Sequence, residues 1–179
     1  MKINYGKLKR RNIVVGDNKK MKPTQSMAKS IIFNLLKINK ETKVLDLFAG
    51  TGLLGFESAS LGAGMVYWSD NNIESVKAIE NNIKQFQLNT KNFKVFKSDF
   101  RMVLKKIPFK VDILFLDPPF IATKYYNEAL ELIKEKDVLS EDGVIVIERP
   151  YKLEISKMED FTIKENRRVG EKDIIIISK

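Results

Sequence analysis

The sequence predicts an α/β fold built on a doubly wound, mostly parallel sheet. Short apolar strands alternate with amphipathic helices from residue 43 onward, and a glycine-rich turn links the first strand to its helix. Such alternation places successive strands in parallel, with helices covering both faces of the sheet. Because 179 residues with 44% apolar composition suit one sizeable core, we expect a single domain, 23–179, behind a basic segment, 1–22.

The hydrophobic periodicity predicts each element in turn. Residues 1–22 alternate loosely between apolar and polar positions, which predicts a short hairpin or arm. Helical spacing then predicts a helix that opens at Pro23-Thr24, with Thr24 as its cap. Strands are predicted at 43–48, 65–69, 93–96, 111–116, 143–147, 161–165 and 173–178, with helices to about residue 61 and at 73–86 and 124–136. The last two strands are so close in sequence that we expect them to pair antiparallel.

The composition removes several kinds of chemistry. The chain has no cysteine and no histidine, which excludes disulfides, thiolate metal sites, cysteine nucleophiles and Ser-His-Asp triads. We therefore expect no metal site, and a cytoplasmic protein because cysteine-free chains suit a reducing compartment. The apolar runs are too short for a membrane-spanning helix or a secretory signal. Any reaction has to use carboxylates, hydroxyls, amines, backbone groups or a borrowed cofactor.

Positive charge is concentrated at the amino terminus. The formal net charge is +9, and the first 22 residues hold eight Lys or Arg against one Asp. A basic segment ahead of a nearly neutral body suits the phosphate backbone of a nucleic acid, whose counterions are released on binding. The alternative to nucleic-acid binding is a solvated terminus whose many lysines reflect a lysine-rich proteome. A membrane surface is disfavoured because the segment shows no amphipathic helical stripe.

A glycine motif follows the first predicted strand. Gly50, Gly52 and Gly55 have the spacing G-x-G-x-x-G, which permits a tight turn and close approach of a ligand at the start of a helix. Asp70 ends the next strand, where an acidic side chain can accept from a ribose diol. Asp46 would repel a pyrophosphate but suits a positively charged group such as an ammonium. The motif therefore favours S-adenosylmethionine over NAD, with glycines that serve packing alone as the alternative.

Further residues extend this predicted cofactor site. Asp99 follows the third strand and can accept from an adenine amine, although an Asp in a loop is more often a helix cap. Phe48, Asn71 and Phe100 adjoin these carboxylates in the sequence and complete the predicted site.

The fourth predicted strand ends in Asp117-Pro118-Pro119-Phe120. The Asp117 carboxylate and the Pro118 carbonyl can both accept from the exocyclic amine of a planar base, which aims the nitrogen lone pair at a methyl group. The prolines orient these acceptors in advance, and Phe120 offers a face on which a base can stack. Displacement at an electrophilic methyl needs little formal base catalysis, which suits a chain without histidine. A tight turn with an exposed aromatic residue is the alternative.

The order of these motifs resembles the class I S-adenosylmethionine-dependent amino-methyltransferases and, more closely, the RsmD family, bacterial enzymes that methylate guanine N2 in 16S ribosomal RNA. The likeness runs almost end to end, through 22–24, 33–36, 45–55, 117–120 and 170–173. It implies a seven-stranded sheet with the last strand antiparallel. It also implies action on an assembling small ribosomal subunit.

The sequence departs from the family pattern at four positions. Lys22 replaces an Arg and loses its planar bidentate fork, and Gln25 stands where a second Thr is usual. Asp70 replaces a Glu, which shortens the reach to the ribose, and Asn72 replaces an Asp. The catalytic residues are kept, and the target nucleotide is left open.

The residues predict the transfer of a methyl group from S-adenosylmethionine to an exocyclic amine, and the resemblance implies that the acceptor is guanine N2 in 16S rRNA of the small subunit; we expect a monomer. The predicted catalytic residues are Asp117, Pro118 and Phe120; the cofactor site is Asp46, Phe48, Gly50, Gly52, Asp70, Asn71, Asp99 and Phe100; the RNA contacts are Lys9, Arg10, Arg11, Lys22 and Thr24. A DNA adenine-N6 methyltransferase shares the Asp-Pro-Pro-Phe tetrad, but 179 residues leave no separate sequence-reading domain. A ribosome-assembly factor that binds RNA without turnover is the non-enzymatic alternative.

Overall fold

The computed structural model describes residues 1–15, 24–119 and 123–179, with the backbone alone for 24–26. Its helices are α1 (Thr24–Leu35), α2 (Leu53–Leu61), α3 (Ile73–Gln85), α4 (Phe100–Lys106) and α5 (Lys124–Glu135). Its strands are β1 (Lys43–Asp46), β2 (Met65–Asp70), β3 (Phe93–Lys97), β4 (Val111–Leu116), β5 (Leu139–Pro150), β6 (Thr162–Val169) and β7 (Lys172–Ser178). A short 3-10 helix, Ser156–Asp160, precedes β6.

The seven strands form one sheet in the order β3-β2-β1-β4-β5-β7-β6. Strands β1 to β5 are parallel, whereas β7 pairs antiparallel with both β5 and β6. This confirms the predicted doubly wound fold and the antiparallel closing strands. The strand order reverses between β1 and β4, and in such sheets ligands bind outside the carboxyl ends of the strands at that reversal.

Alternate residues along each strand face opposite layers, which gives the sheet two cores. On β4, Ile113 and Phe115 pack in the layer with α1, α2 and α3, while Leu114 and Leu116 pack in the layer with α4 and α5. Burial on both faces explains why the central strands read as near-continuous apolar runs. Each fully buried aliphatic side chain contributes about 1.5–3 kcal/mol.

The amino-terminal segment, residues 1–15, packs on the helices of the domain. Lys2 and Asn12 form an antiparallel bridge, and Ile3 and Ile13 are buried, so the predicted hairpin is present in these residues. The backbone N–H groups of Asn4 and Tyr5 donate to the buried Glu57 carboxylate on α2, at 2.8 and 3.1 Å. This part of the segment is therefore fastened to the domain.

Several predicted boundaries are corrected. Strand β1 ends at Asp46, since Leu47 and Phe48 form a turn, and β5 is longer at both ends than the predicted 143–147. Helix α4 was not predicted because it has seven residues and buries only Phe100 and Leu104. In the described part of the chain, no helix is long and apolar enough to cross a membrane.

Candidate active site

A cleft of about 740 Å³ opens at the carboxyl ends of β1, β2 and β4. The turns that follow these strands line it, and Glu148 near the end of β5 and Lys172 at the start of β7 complete one side. The cleft lies where the strand order reverses, as expected for an open parallel sheet.

The three motif glycines have different roles around this cleft. Gly50 has φ +52°, and a Cβ atom there would meet nothing within 4 Å, so a ligand can approach its backbone. Gly52 begins α2 at φ +75°, where a Cβ atom would lie 2.8 Å from the Ile79 side chain. Gly55 is a packing residue, since its Cβ would lie 2.1 Å from the Trp68 indole nitrogen. Only the first of the three leaves room for a ligand.

Asp46 is a buried carboxylate at the floor of the cleft. One of its oxygens accepts from the backbone N–H of Gly55 at 3.1 Å. Burial and, to a smaller extent, the nearby Asp70 carboxylate raise the pKa of Asp46 to about 7, although the hydrogen bond from Gly55 opposes this shift. A positively charged group in the cleft would stabilise the ionised form of Asp46.

Asp70 ends β2 and ties two loops together. Its carboxylate accepts from the N–H of Gly50 at 2.7 Å and from the N–H of Asn72 at 2.8 Å. Asn72 in turn caps α3 by accepting from the N–H of Glu74. Asn71 lies between them and lines the cleft. The glycine turn and the start of α3 are therefore held by one side chain.

An aromatic wall closes one end of the cleft. The rings of Phe48 and Phe100 lie 5.0 Å apart between centroids, and that of Tyr125 lies 6.2 Å from Phe48 and nearly parallel to it. Asp99 lies beside this wall, where it caps α4 and pairs with Arg101 at 2.9 Å. Its predicted contact with an adenine amine stays a prediction.

Asp117 follows β4 directly and lies beside Glu148. The neighbouring residues Leu116 and Ile147 are paired across β4 and β5, which puts the next residue of each strand side by side. Desolvation and the Glu148 carboxylate raise the pKa of Asp117 to about 8, although Lys172 opposes this shift. Lys172 forms an ion pair with Glu148. Pro118 is buried at the same edge and lines the cleft with Asp117.

The family model described as "Conserved hypothetical protein 95" matches residues 1–178. YlbH of Bacillus subtilis is 31% identical over 161 residues, which cover 87% of this chain and 85% of YlbH. A ribosomal RNA small subunit methyltransferase D of Buchnera aphidicola is 28% identical over 167 residues, or 92% of this chain and 86% of the relative. The chain belongs to the RsmD family.

The fold agrees with that membership. The structure of yhhF from Escherichia coli has a TM-score of 0.86 at 21% identity, and the alignment covers 99% of this chain and 96% of that one. The resemblance seen in the sequence motifs is thereby confirmed at the level of family and fold.

The structure brings most of the predicted site residues of this RsmD family member to one cleft. Those that line it are Asp46, Phe48, Gly50, Asp70, Asn71, Asp99, Phe100, Asp117 and Pro118. Gly52 lies behind the glycine turn, against Ile79. Lys22 and Phe120 lie outside the described residues, as does the side chain of Thr24, whose backbone begins α1.

The predicted RNA contacts of the amino-terminal hairpin lie away from the cleft. The N–H of Lys7 donates to the carbonyl of Ser60 at 2.8 Å, and Arg11 reaches the carbonyl of Gln85. Both partners are at the far ends of α2 and α3 from the glycine turn. Since a helix rises 1.5 Å per residue, Ser60 and Gln85 lie roughly 10 Å or more from the ends of α2 and α3 that face the cleft.

The sequence did not single out several residues of this RsmD cleft. Glu148 follows the apolar run of β5, the same signal that identified Asp46 and Asp117, and could have been found. Lys29 on α1 and Lys172 on β7 also line the cleft; Lys172 lies in the 170–173 stretch that carries the family resemblance, whereas Lys29 carries no sequence signal. Among the described residues, no group of acidic side chains is arranged to hold a metal ion.

Proposed function

We propose that the protein transfers a methyl group from S-adenosylmethionine to the exocyclic N2 amine of a guanine in 16S rRNA. One observation carries the proposal: Asp46 pairs with Phe115 on the adjacent strand, Asp117 follows two residues after Phe115, and both carboxylates line one cleft. One carboxylate suits the cofactor's ammonium group and the other suits the acceptor amine. Relatives named ribosomal RNA small subunit methyltransferase D support the rRNA substrate.

S-adenosylmethionine suits the residues of this cleft. When bound, it supplies an electrophilic methyl group on a positively charged sulfur. Asp46 would hold the ammonium group of the amino acid portion, and the open backbone at Gly50 would admit it. Asp70 would accept from the ribose, since each of its oxygens keeps a lone pair beyond the bonds from Gly50 and Asn72. The aromatic wall of Phe48, Phe100 and Tyr125 would face the adenine.

Asp117 and Pro118 would orient the acceptor. The Asp117 carboxylate and the Pro118 carbonyl accept from the two amine hydrogens, so the nitrogen lone pair points at the methyl group. Transfer of the methyl group to the nitrogen would leave the amine with one proton to lose. A carboxylate whose pKa is about 8 in the free protein is suited to hold that proton before it passes to solvent.

The basic hairpin would bind rRNA phosphates outside the cleft. Lys9, Arg10 and Arg11 are exposed, and with Lys22 and Thr24 they are the proposed RNA contacts. We further propose that the protein acts as a monomer, in the cytoplasm, on an assembling small subunit. The division into a segment, 1–22, and a domain, 23–179, is likewise part of the proposal.

The test uses labelled S-adenosylmethionine with unmethylated small ribosomal subunits, their free RNA and duplex DNA. We expect N2-methylguanosine after digestion of the subunit RNA, and its position can be mapped by primer extension. Asp117→Ala should abolish transfer and leave cofactor binding nearly intact at pH 7, where the Asp117 carboxyl of the free protein is already largely neutral. Loss of cofactor binding in that variant would assign Asp117 a structural role.

Two other results would overturn the proposal. Methyladenine in DNA would keep the chemistry and replace the substrate. Cofactor binding without transfer to any of the three acceptors would favour an assembly factor that binds RNA without turnover.

A further inference from the structure

The ion pair between Glu148 and Lys172 has no role in the reaction described above, although both side chains line the cleft. Glu148 is 8% exposed, and its carboxylate contacts the Lys172 ammonium. Burying two charges costs more than the pair usually returns. A partly buried pair at the mouth of a substrate cleft therefore calls for an explanation in terms of what binds there.

The sheet places this pair next to Asp117 and on its face. Glu148 is opposite Ile174 in the β5–β7 pairing, and residues directly opposite each other share a face. Lys172 is two residues before Ile174, so it projects to that face as well. Asp117 is two residues beyond Phe115, which packs in the same layer as Ile174. The Asp117 carboxylate, the Glu148 carboxylate and the Lys172 ammonium therefore lie side by side, in that order.

This order of charges matches one edge of guanine. Beyond the N2 amine, that edge presents the N1–H donor and then the O6 acceptor. Adenine presents an unprotonated N1, an acceptor that a carboxylate would repel. A carboxylate can accept from N1–H while the adjacent positive charge favours a carbonyl oxygen over an amine.

We propose that Glu148 and Lys172 select guanine: the Glu148 carboxylate accepts from N1–H, and Lys172 favours O6. This inference rests on the proposed methyl transfer to guanine N2. Tyr126 supports the arrangement, because its hydroxyl donates to the Glu148 backbone carbonyl at 2.7 Å and fixes the end of β5.

The test compares guanine with 2-aminopurine at the mapped position in reconstituted small subunits. 2-Aminopurine keeps the N2 amine but lacks N1–H and O6. The wild-type protein should prefer guanine about 10- to 100-fold in kcat/KM, the range expected for a bidentate base contact. Glu148→Gln should lower this ratio to about threefold or less, because its amide can donate to the bare N1. Lys172→Met should also lower the ratio, by slowing transfer to guanine alone.

Asp173→Asn is the matched control. Arg149 and Asp173 form a second partly buried ion pair between the same two strands, at 3.3 Å, and they project to the opposite face. This variant loses comparable strand-to-strand contact and should keep the wild-type ratio. Cofactor affinity within threefold of wild type would show that each variant is folded.

Two outcomes separate this inference from the proposed function. Formation of N2-methylguanosine with an unchanged guanine preference in both Glu148→Gln and Lys172→Met would overturn the assignment of the pair alone. Absence of N2-methylguanosine from wild-type reactions would overturn the proposed function itself.

Discussion

The backbone N–H of Gly50 donates a hydrogen bond of 2.7 Å to the Asp70 carboxylate. This bond joins the turn after β1 to the end of β2, and the bond from Asn72 to the same carboxylate adds the start of α3. The predicted ribose acceptor is therefore also the residue that holds the glycine turn in place.

Asp70→Ala should weaken S-adenosylmethionine binding by about tenfold or more, since it removes a charge-assisted hydrogen bond as well as the proposed ribose contact. Asp70→Asn keeps one acceptor oxygen, so its cofactor affinity should lie between those of the wild type and Asp70→Ala. Isothermal titration of the cofactor measures both. Equal affinities in all three proteins would exclude Asp70 from the site.

Gly50→Ala should reduce cofactor affinity with a modest loss of stability. The added Cβ meets no protein atom, so the cost to folding is the left-handed backbone alone, about 1–2 kcal/mol. Gly62→Ala is the control: Gly62 ends α2 at φ +105°, also with open space around it. Thermal unfolding should show a loss of stability in both variants, whereas cofactor titration should show a loss of affinity in Gly50→Ala alone. If Gly62→Ala also weakens cofactor binding, the loss of affinity in Gly50→Ala results from backbone strain.

Cofactor binding near pH 7 should release protons. The pKa of Asp46 is raised to about 7 and that of Asp117 to about 8, so both carboxyls are at least partly protonated there in the free protein. A bound cation stabilises their ionised forms and lowers both pKa values. Affinity should therefore rise as the pH increases from 6 to 8.

Calorimetry at pH 7 in buffers of different ionisation enthalpy measures this release directly. The release should nearly vanish at pH 9, and Asp46→Asn should reduce it at pH 7. Binding enthalpies that are independent of the buffer at pH 7 would contradict the expectation.

Glu57→Ala should loosen the amino-terminal hairpin. The Glu57 carboxylate accepts from Asn4 and Tyr5 and lies 3.6 Å from the buried Lys29 ammonium on α1. Its removal leaves a buried charge without this partner, a change that costs about 3–5 kcal/mol. We expect a lower free energy of unfolding in urea and faster amide exchange at residues 4 and 5. Glu74→Ala, an exposed residue of α3, is the control, and equal effects in the two variants would refute this role.

Replacing Lys9, Arg10 and Arg11 with Gln should flatten the salt dependence of RNA binding. Each phosphate contact contributes about 0.7 to the slope of log K against log salt on single strands, so three contribute about 2. The control is a triple Gln variant of Lys105, Lys106 and Lys136, which are exposed on the α4–α5 layer. It carries the same charge change and should keep the wild-type slope. If the hairpin variant keeps the wild-type slope, the phosphates are held elsewhere.

Much of the site could be predicted from the sequence because its residues follow strands. Asp46, Asp70 and Asp117 each end or directly follow an apolar run, and the carboxyl ends of parallel strands meet at one edge. The alternation of strands and helices then placed these carboxylates together without knowledge of any contact. Helix α4 was not predicted, because its two buried residues are too few to give a hydrophobic periodicity.

The sequence by itself determined the fold class, the cleft and all of its lining carboxylates except Glu148, since periodicity and strand ends are local properties of the chain. Only the tertiary structure decided which lysines face those carboxylates and where the basic hairpin lies. Lys172 reaches Glu148 through an antiparallel pairing of β5 with β7, and the hairpin packs at the far end of α2 through Glu57 and Ser60. Both depend on contacts between residues distant in sequence, which no local pattern encodes.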